Sequence, residues 1–225
     1  MVEERQKIPT VMSDLRKEIV HVPEVIQQCT GIRIYGHLIK SILFSTDAAI
    51  IANNDADAIL AVYPFTPSTS VLKSTMLVSQ VPVLAGVGGG LTNRDRSANM
   101  SLFAESEGAL AVVVNGPADI ETIQKIEKII DVPIIYTVVA EQTDISERIQ
   151  AGVDILNVSG GPETANIVRG IRKSFPEIPI MATGGPSDTS ILEVIKAGAN
   201  AVTFTPPTSA QLFKAKMDKY RKQMK

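Results

Sequence analysis

The chain has 225 residues, of which 44% are hydrophobic, and a formal net charge of −2 at pH 7. This length and apolar content suit a single compact domain with a sizeable core. The near-neutral charge provides no field to attract nucleic acid or an anionic membrane, so we expect neither as a partner.

The location of the protein is predicted from what its sequence lacks. No apolar run reaches the roughly 18 residues that a membrane span requires, and the charged N-terminus has no apolar signal-peptide core. The single cysteine, Cys29, has no second cysteine in the chain to pair with, which suits a reducing compartment. We therefore expect a cytoplasmic protein.

Residues from about 10 to 30 show apolar residues at helical spacing. Val11, Leu15, Ile19 and Val22 would share one face of an amphipathic helix. We expect this helix, together with Met12, to pack against the domain that follows or against a neighbouring molecule. A homo-oligomer is the assembly that we expect.

Two strand patterns alternate from residue 41 onward. Proline-led strands begin near Pro82, Pro133 and Pro179, and small-residue turns followed by apolar strands begin at Ala56, Gly108, Gly152 and Gly198. Each pattern recurs about every 48 residues, which is twice the length of a strand-plus-helix unit. Four such double units give eight strands.

Eight parallel strands in one chain of this size predict an α/β fold, a single (β/α)8 TIM barrel. Residues 41–225 would form the eight βα units, and residues 1–40 would be an N-terminal helical extension that closes the bottom of the barrel. The predicted strands are 41–46, 58–64, 81–86, 109–115, 133–138, 154–159, 179–183 and 201–205. The last helix, from residue 209, is rich in lysine and arginine, and we interpret this as a solvated face.

The chemistry of a barrel is expected at the C-terminal ends of its strands. Glycine turns there leave backbone N–H groups open to a ligand, and such groups beside a helix N-terminus can hold a phosphate. The same glycines also suit tight strand-to-helix turns, and both interpretations stay open. The candidate substrate- or phosphate-binding residues are Gly88, Gly89, Asn115, Ser159, Gly160, Gly161, Thr183, Gly184, Gly185 and Thr205.

The segment Ala-Thr-Gly-Gly-Pro-Ser at 182–187, followed by Lys-Ala-Gly-Ala-Asn-Ala-Val at 196–202, resembles the ribulose-phosphate-binding barrel superfamily. That superfamily includes sugar-acid aldolases, thiamin-phosphate synthase and the barrels of tryptophan and histidine biosynthesis. The order of elements over residues 41–223 supports the resemblance, which implies phosphate contacts at Gly184 and Gly185. The chain departs from the pattern at Thr205-Pro206-Pro207, where a glycine-containing end is usual and where proline has no N–H to donate.

Acid–base candidates on the predicted rim are few. Asp47 follows the first strand and Glu141 follows the fifth, so the two carboxylates would face each other as catalytic acid and base. Asp47 would equally serve as a helix N-cap, and Glu141 as a solvated loop residue. Tyr63 is a possible proton donor and Arg94 a possible anion partner.

Several reaction classes are disfavoured by the sequence. No lysine ends a predicted strand, which argues against a Schiff-base aldolase. No residues have metal-ligand spacing, so we expect neither a metal nor a cofactor. The predicted function is a lyase or isomerase acting on a small phosphorylated or carboxylated, and therefore anionic, metabolite. The alternatives are a catalytically silent barrel that binds a metabolite or partner, and a metal-assisted hydrolase that uses Asp47 and Glu141.

Overall fold

The computed structural model describes residues 9, 11–14 and 16–224. Its N-terminal part contains a 3₁₀ helix, Glu24–Gln28, and a hairpin of two antiparallel strands, β1 (Ile32–Ile34) and β2 (His37–Ile39). This corrects the expected α-helix over residues 10–30, because residues 11–14 and 16–19 form only turns, bends and irregular backbone. Leu15 lies outside the described residues.

A contact with the barrel explains why the helical spacing was misleading. The carboxylate of Asp55 accepts hydrogen bonds from the backbone N–H of Val22 at 2.7 Å and lies 2.7 Å from Nδ1 of His21. Val20 forms a bridge with Asn54. These contacts hold the segment extended just before Pro23, since tertiary contacts override a weak helical preference.

Eight parallel strands close into a barrel in the described part of the chain, which confirms the predicted fold class. The strands are β3 (Ser41–Phe44), β4 (Ala58–Ala61), β5 (Val83–Gly88), β6 (Ala111–Val114), β7 (Ile134–Val138), β8 (Ile155–Val158), β9 (Ile180–Thr183) and β10 (Ala201–Phe204). Neighbours in the chain are neighbours in the barrel, and β10 pairs with β3 to complete it.

A helix follows each barrel strand, as the repeat predicts. The helices are α1 (Ala48–Ile51), α2 (Thr69–Val78), α3 (Arg94–Ser106), α4 (Ile120–Glu127), α5 (Ile145–Gln150), α6 (Thr164–Ser174), α7 (Asp188–Ala197) and α8 (Ser209–Gln223). Gly198 ends α7 with a φ of 114°, a left-handed conformation that suits glycine at this position. The turns at Gly108, Gly152 and Gly198 therefore come directly after the last turns of α3, α5 and α7.

Alternate residues of each strand point into the barrel or out towards the helices. The inward set forms one buried cluster and includes Ile42, Leu60, Leu84 and Ile135. Three hairpin residues join the same cluster: Ile32, Ile34 and Ile39. The β1–β2 hairpin thus closes the N-terminal end of the barrel, the role that the sequence assigned to a helix.

The last helix lies loosely on the outside of the molecule. None of the described residues of α8 is buried, and its Lys216 forms an ion pair with Glu18. Val25, Ile26 and Cys29 of the N-terminal segment belong instead to the core between barrel and helices. Among the described residues, no helix has both the length and the apolar content that crossing a membrane requires.

Candidate functional site

A cavity of about 210 Å³ opens at the C-terminal ends of the barrel strands. Its position is the end at which barrels of this fold carry their chemistry. The lining residues are Phe44, Leu60, Val62, Asn115, Thr137, Asn157, Ser159, Thr183, Thr203 and Thr205. We call this the mouth cavity.

The mouth cavity has an apolar wall and a polar wall. The apolar wall consists of Phe44 at the end of β3, Leu60 in β4, and Val62 directly after β4. The polar wall extends from the end of β6 to the end of β10 and carries five hydroxyl groups and two amides. Of the described residues that line the cavity, none has a titratable side chain.

Two buried polar atoms of the mouth cavity have no protein hydrogen-bond partner. They are Oδ1 of Asn157, a side chain only 5% exposed, and Oγ1 of Thr203, a residue only 3% exposed. The other end of the Asn157 amide donates to Oγ1 of Thr137 at 3.2 Å, so either orientation of the amide leaves one end unpaired. A buried polar group without a partner is costly, so these atoms point to a ligand.

Four of the predicted binding residues line this cavity: Asn115, Ser159, Thr183 and Thr205. Among the lining residues that were not predicted are Asn157 and Thr203, which carry the unpartnered atoms. Each lies two positions before a predicted rim residue, Ser159 and Thr205, and so projects from the same face of its strand. This period-two relation was the signal in the sequence that could have found them.

Gly88, the last residue of β5, and Gly89, the residue after it, contact the end of the next strand, β6. Gly89 has a φ of 110°, donates its N–H to Thr92 O at 2.7 Å, and lies so close to Asn115 that a Cβ would come within 2.5 Å of that backbone. The carbonyl oxygen of Gly88 accepts the N–H of Asn115 at 2.9 Å. These contacts position Asn115 at the cavity.

Two of the predicted phosphate-binding N–H groups have protein acceptors. Gly184 donates to the carbonyl oxygen of Thr203 at 3.0 Å, and Gly160 donates to Oγ1 of Thr164 at 3.0 Å. A Cβ at Gly184 would lie 2.7 Å from Val202, so close packing also requires glycine there. The phosphate contact that the resemblance implies at Gly184 and Gly185 stays a prediction, and at Gly184 it would require the bond to Thr203 to break.

Asp47 caps α1 and does not line the mouth cavity. Its carboxylate accepts hydrogen bonds from the N–H of Ala49 at 2.9 Å and of Ile50 at 3.3 Å, and from Oγ of Ser209 at 2.6 Å. These bonds, the Ser209 hydroxyl above all, lower the pKa of Asp47 below its ordinary value. A carboxylate with a lowered pKa is a weaker base.

The other acid–base and anion candidates also lie apart from the mouth cavity. Glu141 lines a separate cavity of about 440 Å³ beside α5 and α6. The hydroxyl of Tyr63 accepts the N–H of Ser68 at 2.7 Å. The guanidinium of Arg94 pairs with Asp119 and Glu121 at 3.3 and 3.2 Å. The structure therefore does not bring Asp47 and Glu141 together at this cavity.

The described residues provide neither a cluster of metal ligands nor a reactive thiol. In the portion of the chain that the structure describes, no group of three or more His, Cys, Asp or Glu side chains could hold a metal ion. Asp47, bonded to Ser209, and Glu141, beside α5 and α6, are the two carboxylates on which the metal-assisted hydrolase was built, and they lie at different places. Burial raises the pKa of the Cys29 thiol to about 11, which keeps it protonated and unreactive at neutral pH.

Comparison with known proteins gives the fold. No protein-family model and no curated protein matches the chain. A solved structure from Burkholderia cenocepacia J2315, inferred to be a phosphonomutase, is 15% identical with a TM-score of 0.61, covering 88% of this chain and 97% of its own. A 2,3-dimethylmalate lyase of the PEP mutase/isocitrate lyase superfamily is 14% identical with a TM-score of 0.61, covering 89% and 84%. A phosphonopyruvate hydrolase is 13% identical with a TM-score of 0.61, covering 84% and 82%.

These similarities extend over most of each chain, so the (β/α)8 architecture is shared. The solved barrels include a mutase, a lyase and a hydrolase. One of the three is described as a member of the PEP mutase/isocitrate lyase superfamily, and none of the three is described as a ribulose-phosphate-binding barrel. At this level of identity the likeness establishes the fold alone.

Proposed function

We propose that the protein is a barrel enzyme of the lyase or isomerase class that acts on a small metabolite bound in the mouth cavity. The observation that carries the proposal is the pair of buried, unpartnered polar atoms on Asn157 and Thr203, which line a cavity at the catalytic end of the barrel. A volume of about 210 Å³ is below the roughly 300–1,000 Å³ typical of sites for drug-sized ligands, so a small metabolite fits it better.

The chemistry of the lining supports a substrate that carries a carbonyl group. Lyase and isomerase reactions of carbonyl compounds place developing negative charge on the carbonyl oxygen. Hydroxyl and amide donors fixed in a sheltered site stabilise that charge. The Thr203 hydroxyl has no protein acceptor and is therefore available for this role. Similarity in fold to solved lyase and mutase barrels, and the resemblance of residues 182–187 and 196–202 to ribulose-phosphate-binding barrels, also favour this class.

A second candidate is a barrel that binds the metabolite without converting it. The absence of a titratable side chain from the described cavity lining favours this alternative, because acid–base catalysis requires such a group within reach of the substrate. Asp47 is the predicted base that lies closest along the chain to a lining residue, Phe44. Its carboxylate already accepts three hydrogen bonds.

Proton NMR of the intact protein with small hydroxy, keto and phosphorylated acids and sugars tests the proposal. We expect at least one compound to be converted, and we expect Ser159→Phe, which fills the cavity, to abolish the conversion. Ser106→Phe, at an exposed position near the end of α3, is the matched control and should retain it. A compound that binds at the mouth cavity and stays unchanged would establish the second candidate instead.

A further inference from the structure

We infer that the mouth cavity recognises a neutral polyhydroxylated compound, a free sugar or polyol, through groups that carry no charge. This inference rests on the proposed function in one respect, namely that the metabolite binds in this cavity. It departs from the sequence-based expectation of an anionic ligand.

The charge of the ligand is limited by the side chains that line the mouth cavity. Transfer of an ionised carboxylate or phosphate into a buried site is costly unless a cation or a set of donors compensates it. The described lining contains no lysine, arginine or histidine. Arg94, the cation that the sequence placed on this rim, pairs with Asp119 and Glu121. Because the described lining offers no cation, an uncharged group suits this cavity better than a fully ionised one.

The hydroxyl groups of the polar wall determine which groups of a ligand can bind there. A hydroxyl group both donates and accepts, and its hydrogen rotates to suit its partner. The five hydroxyl groups of the polar wall therefore match a ligand whose own groups both donate and accept, which is the property of sugar and polyol hydroxyls. The unpartnered atoms of Asn157 and Thr203 supply an acceptor and a hydroxyl that such a ligand would satisfy.

The apolar wall of the mouth cavity offers a packing surface for the carbon-bound hydrogens of a ligand. Phe44 is 37% exposed at the mouth and lies with Leu60 and Val62 on one side of the cavity. The carbon-bound hydrogens of a sugar or polyol form an apolar surface that packs on aromatic and aliphatic side chains. One apolar wall facing one hydroxyl-rich wall suits a molecule that has both kinds of surface.

A phosphate group at this rim would need backbone N–H groups as donors. The N–H groups of Gly160 and Gly184, two of the predicted donors to a phosphate at this rim, are bonded to Oγ1 of Thr164 and to the Thr203 carbonyl. Pro206 and Pro207 supply no N–H after β10. The N–H groups of Gly160 and Gly184 and the two prolines therefore offer a phosphate group no free donor.

Thermal unfolding of the full chain tests the inference. The probes are D-ribose, D-xylose, D-glucose and erythritol, each compared with its phosphate ester and with inorganic phosphate. A ligand present at about one hundred times its Kd raises the melting temperature of a protein of this size by roughly 5–10 °C. We expect such a rise with at least one neutral compound, and no tighter binding by its ester.

Two near-isosteric variants locate the site. Thr203→Val and Asn157→Leu remove the unpartnered atoms, and each should weaken the neutral ligand by at least about tenfold. Because Thr203→Val removes a buried hydroxyl that lacks a partner, the free variant should melt no lower than the wild type. Thr75→Val is the control: its buried hydroxyl bonds to Val71 O on α2, away from the mouth cavity, so the variant should melt lower but bind normally. If Asn157→Leu does not fold, Ser159→Ala replaces it.

The outcomes separate this inference from the proposed function. Stabilisation by phosphate esters alone, lost in Thr203→Val, would overturn the neutral ligand and leave binding at the mouth cavity intact. Stabilisation that survives in both mouth variants, or no stabilisation by any compound, would overturn both. Stabilisation by a neutral compound that is lost in the mouth variants and kept in Thr75→Val is the expected result.

Discussion

The carboxylate of Asp47 shows how a residue at a barrel rim can serve the fold. It accepts two backbone N–H groups of α1 and the hydroxyl of Ser209 in α8. Removal of an N-cap side chain costs about 1 kcal/mol. We predict that Asp47→Ala lowers the free energy of unfolding in urea by this amount, since the N–H groups lose their acceptor.

Glu141 provides the comparison for Asp47, because the sequence assigned both residues the same kind of role. Glu141 is exposed, so Glu141→Ala should change the unfolding free energy by less than about 0.5 kcal/mol. An equal loss in the two variants would contradict the capping role of Asp47.

The same hydrogen bonds make the contribution of Asp47 depend on pH. Its pKa is lowered in the folded protein, the Ser209 hydroxyl being the largest cause, from an ordinary value of 3.8. The stabilisation is therefore fully present above that value and is lost as the pH falls through the lower, folded-state pKa. The difference in stability between the wild type and Asp47→Ala should shrink below pH 4 in acid titrations followed by circular dichroism. A difference that is constant down to pH 2 would contradict this.

At the scale of elements, Arg172 of α6 holds the loops at the bottom of β9 and β10. Its guanidinium donates to the carbonyl oxygens of Pro176, Ile178 and Gly198 at 2.6–2.9 Å and to Oδ1 of Asn200 at 2.8 Å. A lysine has three donors on one atom and cannot reproduce this spread of bonds. We predict that Arg172→Lys costs about 2 kcal/mol in urea unfolding.

Arg169, one turn earlier on α6, is a matched control for this prediction. Its guanidinium donates a hydrogen bond to Oδ1 of Asn166 on the same helix, and the Arg169 residue is exposed. Arg169→Lys should change stability by less than about 0.5 kcal/mol. If Arg172→Lys is as mild as Arg169→Lys, the loops are held by other contacts.

The hairpin that closes the barrel makes a second prediction at this scale. Ile39 is 2% exposed and belongs to the interior cluster, whereas its neighbour Leu38 is 43% exposed. Ile39→Ala should cost about 2–4 kcal/mol through lost burial and a cavity, and Leu38→Ala less than about 1 kcal/mol. Denaturant unfolding of both variants measures the difference, and similar small losses would show that the hairpin is not part of the core.

The barrel could be predicted because its repeat is carried by local signals: proline-led strands and glycines that end helices. The hairpin and the extended N-terminal segment could not, because a distant carboxylate, that of Asp55, fixes the segment in place. The same limit applied to the site. Asn115 and Ser159 were predicted and line the cavity. The hydrogen bond that the Asp47 carboxylate accepts from Ser209 could not be predicted, because the two residues are 162 positions apart in the chain.

At the scale of the whole molecule, the barrel gathers uncharged polar side chains at one end and closes the other with apolar ones. The polar end has buried atoms without protein partners, and the closed end is packed with isoleucine. This asymmetry supports the proposal that a ligand binds at the C-terminal ends of the strands. The homo-oligomer expected from the sequence stays a prediction, to be measured by sedimentation.

Binding at the mouth cavity is the claim on which the account depends, and titration of the side-chain amides by ¹H–¹⁵N NMR tests it most directly. With D-ribose, D-xylose, D-glucose or erythritol as probe, the amide resonances of Asn157 and Asn115 should shift, while those of Asn54 and Asn166, on the outside of the barrel, should not. Shifts confined to Asn54 or Asn166, or no shift at Asn157 with any probe that stabilises the protein, would contradict the account.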